Sequence, residues 1–190
     1  MLSINLKGDN IIINQTNISP NSIVIGNSGI VIDNNELTHK KKIKTITKKI
    51  ECSQKEVVLD SKIINFTIKK DKKCELTYNE NAIIEKDKIK ADKKLIVRLE
   101  VLNIDKIVVN GDYNGIIDSI NKKLFLTLKG DGVMVIKNID NIDIEYSGDL
   151  VLDAYTKKLN IKGRGDLILN INKDAKIFDN INGDLILNRR

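Results

Sequence analysis

The stretch Lys123-Leu124-Phe125-Leu126-Thr127-Leu128-Lys129-Gly130-Asp131-Gly132-Val133-Met134-Val135-Ile136 decides the fold. Apolar and polar residues alternate on both sides of a Gly-Asp pair, which is the pattern of two half-buried strands joined at a corner. The pair recurs at Gly111-Asp112, Gly148-Asp149, Gly165-Asp166 and Gly183-Asp184, so that successive glycines lie 19, 18, 17 and 18 residues apart. Aligned on those glycines, apolar residues fall into columns. Leu124, Ile142, Leu159 and Ile177 stand six before, and Leu126, Ile144 and Ile161 four before. Leu150, Leu167 and Leu185 stand two after, and Leu152, Leu169 and Leu187 four after.

One such strand pair cannot bury its apolar face alone, whereas stacked copies in register form a continuous core. Each buried Leu or Ile contributes roughly 1.5–3 kcal/mol against the cost of ordering the chain. Glycine permits a positive φ at the corner, and Asp can hydrogen-bond the local backbone there. An antiparallel meander is the alternative, but identical aligned columns are what parallel in-register stacking requires. The expected fold is therefore all-β: a parallel β-solenoid, or β-helix, of about 18 residues per coil preceded by a short β-rich N-terminal module. The Leu150 and Leu152 columns are expected to point into the core.

Outward from the repeats, residues 57–110 read as less regular strands, with a short helical turn allowed between Asn79 and Asp92. Residues 1–38 read as the β-rich module, carrying Ile11 to Ile13, Ile23 to Ile25 and Ile30 to Ile32. Residues 39–49 read as a lysine-rich linker whose end is a strand entering the body, and residues 50–190 as the solenoid domain. The formal charge is +6, and all of it is N-terminal: residues 1–95 hold 18 basic against 12 acidic residues, and residues 96–190 hold 14 of each. The lysines that could meet an anionic partner are Lys40, Lys41, Lys42, Lys44, Lys48 and Lys49.

The body, from about Ile50 to Asn188, resembles the bacterial putative-adhesin "head GIN" β-solenoid family, Gly-Asp repeat proteins with small bacterial and phage members. The resemblance rests on Phe66-Thr67-Ile68-Lys69 followed by Cys74 to Asn81, and on Lys94-Leu95-Ile96-Val97. Ser147-Gly148-Asp149 and Gly163-Arg164-Gly165-Asp166 add to it. Gly26 to Asp33 resembles a short leader found before such repeats. The resemblance implies an adhesin-like solenoid and brings no catalytic residue with it.

No cofactor or metal is expected. The Asp column of the repeats lacks the glycine-rich calcium nonapeptide, and His39 is the only histidine, which leaves no partner for a histidine metal cluster or a catalytic triad. Cys52 and Cys74 lack motif spacing and read as reduced structural thiols. In Arg164-Gly165-Asp166 the repeat itself supplies Gly165 and Asp166. The opening residues have neither a basic n-region nor a long apolar run, so a cytoplasmic protein without a membrane span is expected, or an exported one if the chain is trimmed.

The function expected is a non-catalytic structural or protein-interaction module that forms homo-oligomers. Unpaired strand edges at the end of the stack invite pairing. Leu185, Leu187, Ile23, Ile25, Ile30 and Ile32 are the candidate contact residues, and Arg189 and Arg190 are candidate gatekeepers. The alternative is a binder of nucleic acid or an anionic surface through the basic N-terminal half. A polysaccharide-active solenoid enzyme is third.

Overall fold

The structure is a computed structural model. It describes four strands within the first 42 residues, and residues 43–190 throughout. Those four strands are β1 (Leu2–Lys7), β2 (Asn10–Gln15), β3 (Asn21–Gly26) and β4 (Gly29–Asn34). They form an antiparallel meander in chain order, in which Ile23 pairs with Ile32 and Ile25 with Ile30. Their side chains, the lysines Lys40, Lys41 and Lys42, and His39 lie outside the described residues. Met1–Lys42 is one compact unit and Ile43–Arg190 another.

The second unit is all-β and open-edged, with no helix among the described residues. Its first strands are β5 (Thr45–Lys49), the 18-residue β6 (Ser53–Lys70), β7 (Glu75–Asn79), β8 (Ile83–Glu85), β9 (Lys88–Lys90) and β10 (Lys94–Val101). Next come β11 (Asn103–Asp118), β12 (Lys123–Lys129), β13 (Gly132–Lys137), β14 (Asn141–Ser147) and β15 (Leu150–Ala154). The chain closes with β16 (Lys158–Arg164), β17 (Leu167–Ile171), β18 (Lys176–Asn182) and β19 (Leu185–Arg189).

From β12 onward each strand lies parallel to one already formed. The first half of β11 leads the ladder β12, β14, β16, β18, and its second half leads β13, β15, β17, β19. Register follows the sequence columns: Leu124 pairs with Ile142, Ile142 with Leu159, Leu159 with Ile177, and Leu150 with Leu167, which pairs with Leu185. Inward side chains of the two ladders, among them Leu124, Leu126, Ile142, Leu150, Leu152, Leu159, Leu167 and Leu169, form the core.

On its other side β11 pairs with β6 along both halves, with a register shift between Asn110 and Asp112. The opposite edge of β6 carries β9 and β10, also parallel. Strands β7, β5 and β8 then add antiparallel pairings. The chain thus runs from β10 to β11 past β6, which lies between them. Where a helical turn was allowed, β8 and β9 form a hairpin instead. Lys86 and Asp87 make its two-residue turn, with Lys86 at φ 53°, which suits a tight turn joining antiparallel strands.

Cys52 and Cys74 are joined by a disulfide, which corrects the expectation of free thiols. Cys52 precedes β6 and Cys74 precedes β7, and the return of the chain brings their Cα atoms to 4.8 Å, within the span a disulfide requires.

Candidate functional site

Two surfaces of the stack carry polar and aromatic side chains in regular columns: the Gly-Asp corner and the outward face of the ladder formed by β12, β14, β16 and β18.

At the corner, Gly130, Gly148 and Gly165 adopt φ between 114° and 120°, a region that residues with a Cβ rarely enter. The glycines are required twice over. A Cβ on Gly148 would lie 2.5 Å from the carbonyl oxygen of Gly130, and one on Gly165 2.2 Å from that of Gly148. Each Asp carboxylate accepts the backbone N–H of the Asp one repeat later. Asp112 accepts from Asp131 at 3.2 Å, Asp131 from Asp149 at 2.8 Å, Asp149 from Asp166 at 2.9 Å and Asp166 from Asp184 at 3.0 Å. The column therefore stitches neighbouring repeats together, in place of the local backbone bond expected from the sequence. Asp166 of the Arg164-Gly165-Asp166 triplet is engaged in this way. The carboxylates also act on two tyrosines: burial and the nearby Asp131 raise the Tyr113 phenol, and burial followed by Asp166 and Asp149 raises that of Tyr146.

Aromatic rings complete the corner. Tyr113 fills the space a Cβ on Gly132 would need, and Tyr146 does the same at Gly163, donating its hydroxyl to the Gly165 carbonyl at 3.2 Å. A glycine inside a strand pattern was the available signal for this close approach.

On the outward face, Phe125 pairs with Asp143, Asp143 with Asn160 and Asn160 with Phe178. Phe125 is 43% and Phe178 56% exposed. Between these rings the short side chains leave an elongated trough of about 610 Å³. Asn160 donates to Asp143, whose other oxygen meets Lys123 at 3.1 Å. Lys123 lies 4.3 Å from the centre of the Phe125 ring, and Lys158 lies 5.0 Å from that of Phe178. Sequence reading missed this site, although its four residues share one offset, five before each glycine.

Within residues 43–190, the described residues singled out from the sequence are not gathered in one place. Lys44, Lys48 and Lys49 are exposed, but Lys48 and Lys49 are consecutive in β5 and point to opposite faces. Lys48 lies over the Tyr78 ring. Leu185 and Leu187 are 41% and 43% exposed on β19, while Leu167 and Leu169 beneath them are 0% and 1% exposed. Arg189 donates to the carbonyls of Lys173 and Ala175, and Arg190 pairs with Asp153. Elsewhere, buried Glu100 is held by Lys69 at 3.1 Å and Arg98 at 2.7 Å. Hydrogen bonding to Lys69 is the main cause holding its carboxyl below the usual range.

No protein-family model and no curated protein matches the chain. Among solved structures, a "putative adhesin" of Parabacteroides distasonis is similar at 14% identity, covering 78% of this chain and 98% of its own, with a TM-score of 0.32. A "putative adhesin" of Parabacteroides merdae is similar at 14% identity, with coverages of 77% and 96% and a TM-score of 0.29. A "putative lipid binding protein" of Parabacteroides distasonis is similar at 11% identity, with coverages of 77% and 97% and a TM-score of 0.30.

Proposed function

We propose that the chain is a non-catalytic protein-interaction module, adhesin-like in build, on a β-solenoid rod of about 18 residues per coil, and that it self-associates. The solenoid reading is supported by parallel pairing of each strand from β13 onward with the one two places earlier, in step with the Gly-Asp interval. The non-catalytic reading is supported by the use of polar side chains in holding the fold. The Asp column accepts backbone N–H groups, Glu100 is tied to two cations, and the cysteines are joined.

Self-association rests on one observation: β19 leaves exposed the leucine columns that β15 and β17 bury. Apolar side chains beside an unpaired strand edge are a template for another chain. Light scattering over a concentration series tests it. Oligomers are expected, with Leu185→Lys/Leu187→Lys shifting the population to monomer. A wild-type chain that stays monomeric at high concentration would refute self-association.

The Cys52–Cys74 disulfide supports a working place in an oxidising compartment, against the cytoplasmic expectation. Thiol labelling of protein taken from its native cells under denaturing conditions checks this, and two free thiols would rule it out.

A further inference from the structure

The trough between Phe125 and Phe178 sets two exposed aromatic rings at the ends of a row of amide and carboxylate side chains. The two rings stand three ladder steps apart, roughly 14 Å at about 4.8 Å per step. They are large exposed apolar groups on a face otherwise covered by charged and amide side chains, at the two ends of one column. Each has a lysine ammonium over its ring, a weak contact at an exposed site.

The floor between the rings is polar and short. Asn160 keeps its amide oxygen and second N–H after bonding to Asp143, and Thr127 adds a hydroxyl.

Charge selects a neutral occupant. Around the trough, Lys123 is paired with Asp143, Lys162 with Glu145 at 2.7 Å and Lys106 with Glu56 at 3.1 Å, while Lys158 and Asp179 add one charge of each sign outside these pairs, so positive and negative groups balance. The backbone of the floor is committed to the ladder, because β12, β14, β16 and β18 pair with one another across it. An extended peptide lying across the strands between Phe125 and Phe178 would find no strand edge to pair with, because the free edge of β18 lies beyond Phe178. A sugar chain needs none. Its C–H faces pack on aromatic rings, and its hydroxyls both donate to and accept from amides and carboxylates.

We infer that this face binds a neutral oligosaccharide, with Phe125 and Phe178 as stacking platforms and Asn160 and Asp143 as the hydrogen-bonding floor. The inference rests on the interaction-module reading above and names the ligand class for one of its surfaces.

The protein has three phenylalanines, and Phe66 is in the core. Selective phenylalanine labelling therefore gives an NMR reporter at each end of the trough and one internal control. The full chain is titrated with cello-, galacto- and chito-oligosaccharides, and in parallel with an acidic peptide. At least one saccharide series is expected to shift the Phe125 and Phe178 resonances saturably and leave Phe66 unmoved. Phe125→Ala and Phe178→Ala should each weaken binding about tenfold. Both positions are exposed, so the folded spectrum persists, and Asn160→Ala provides a third variant that leaves both rings in place. No shift with any saccharide, shifts with the peptide instead, or unchanged binding in both phenylalanine variants would each overturn the proposal. A chain that self-associates but binds no saccharide loses this site and keeps the assembly reading. A monomer that binds saccharide does the reverse.

Discussion

Residues 103–190 and residues 43–101 are built from the same kind of strand but held by different means. The later region contains eight glycines and the earlier none. In the later region, contacts repeat: glycine against carbonyl, carboxylate against the next N–H, leucine on leucine. In the earlier region, almost every contact is made once. The Cys52–Cys74 disulfide closes it, and Asn79 accepts the Ile96 N–H at 2.8 Å and donates to the Lys94 carbonyl at 3.2 Å. Glu100 is buried between Lys69 and Arg98. Strands that must match neighbours in kind need little beyond repetition, whereas strands that change direction at the end of a stack need individual fastenings.

The largest effect expected from breaking this contrast lies at the glycine corner. Gly148→Ala puts a Cβ against the Gly130 carbonyl at a φ of 116° and should cost about 4 kcal/mol or more. Urea denaturation measures it, and a loss under about 1 kcal/mol would mean that the corner yields easily. Next comes the core column. Leu152→Ala should cost roughly 2–5 kcal/mol at any protein concentration, while Leu187→Ala, exposed in the single chain, should stay within about 0.5 kcal/mol at a dilution where the protein is monomeric. Equal losses at that dilution would mean that β19 is covered within the monomer.

Reducing the disulfide, or replacing both cysteines by alanine, should cost roughly 3 kcal/mol through its 22-residue separation. Hydrogen exchange should rise in β5 and β7 while β15 and β17 keep their protection, and uniform loss would erase the distinction between the regions. The smallest effect concerns acid. Glu100 has its pKa lowered in the folded protein, so its contribution is complete above the unfolded value and is lost as pH falls through the folded one. Stability should fall below the ordinary carboxylate pKa of about 4.3, and Glu100→Gln should flatten that acid limb in thermal melts. An acid limb identical in the variant would show that other carboxylates carry it.

The same contrast explains what could be read from the sequence. The later strands were legible because pairing partners share an apolar column at a fixed spacing. The placement of β6 between β10 and β11 was not, because the pairs Ile63–Lys94 and Val57–Ile107 follow no repeat. The disulfide was hidden for the same reason: only the return of the chain brings Cys52 to Cys74. At the corner, Gly-Asp was readable as a turn. That each Asp reaches the next repeat was not, because its own backbone is equally near on paper. The trough could have been found, since Phe125, Asp143, Asn160 and Phe178 occupy one column. Its signal is weak because the apolar columns that mark the repeat are the inward ones, and an isolated outward aromatic is ordinary in a sheet.

The position of β6 bears on how the chain is made. During synthesis Ser53–Lys70 leaves the ribosome before either strand that will flank it, and its lateral N–H and C=O groups wait for Lys94–Val101 on one side and Asn103–Asp118 on the other. From Lys123 onward, every strand emerges beside a finished neighbour and can be laid down in the order it is translated. The slow event is then the clamping of one early strand by two later ones, followed by rapid additive growth. Nascent chains stalled on the ribosome test this order: one released as far as Asp118 should resist protease, and one ending at Val101 should not.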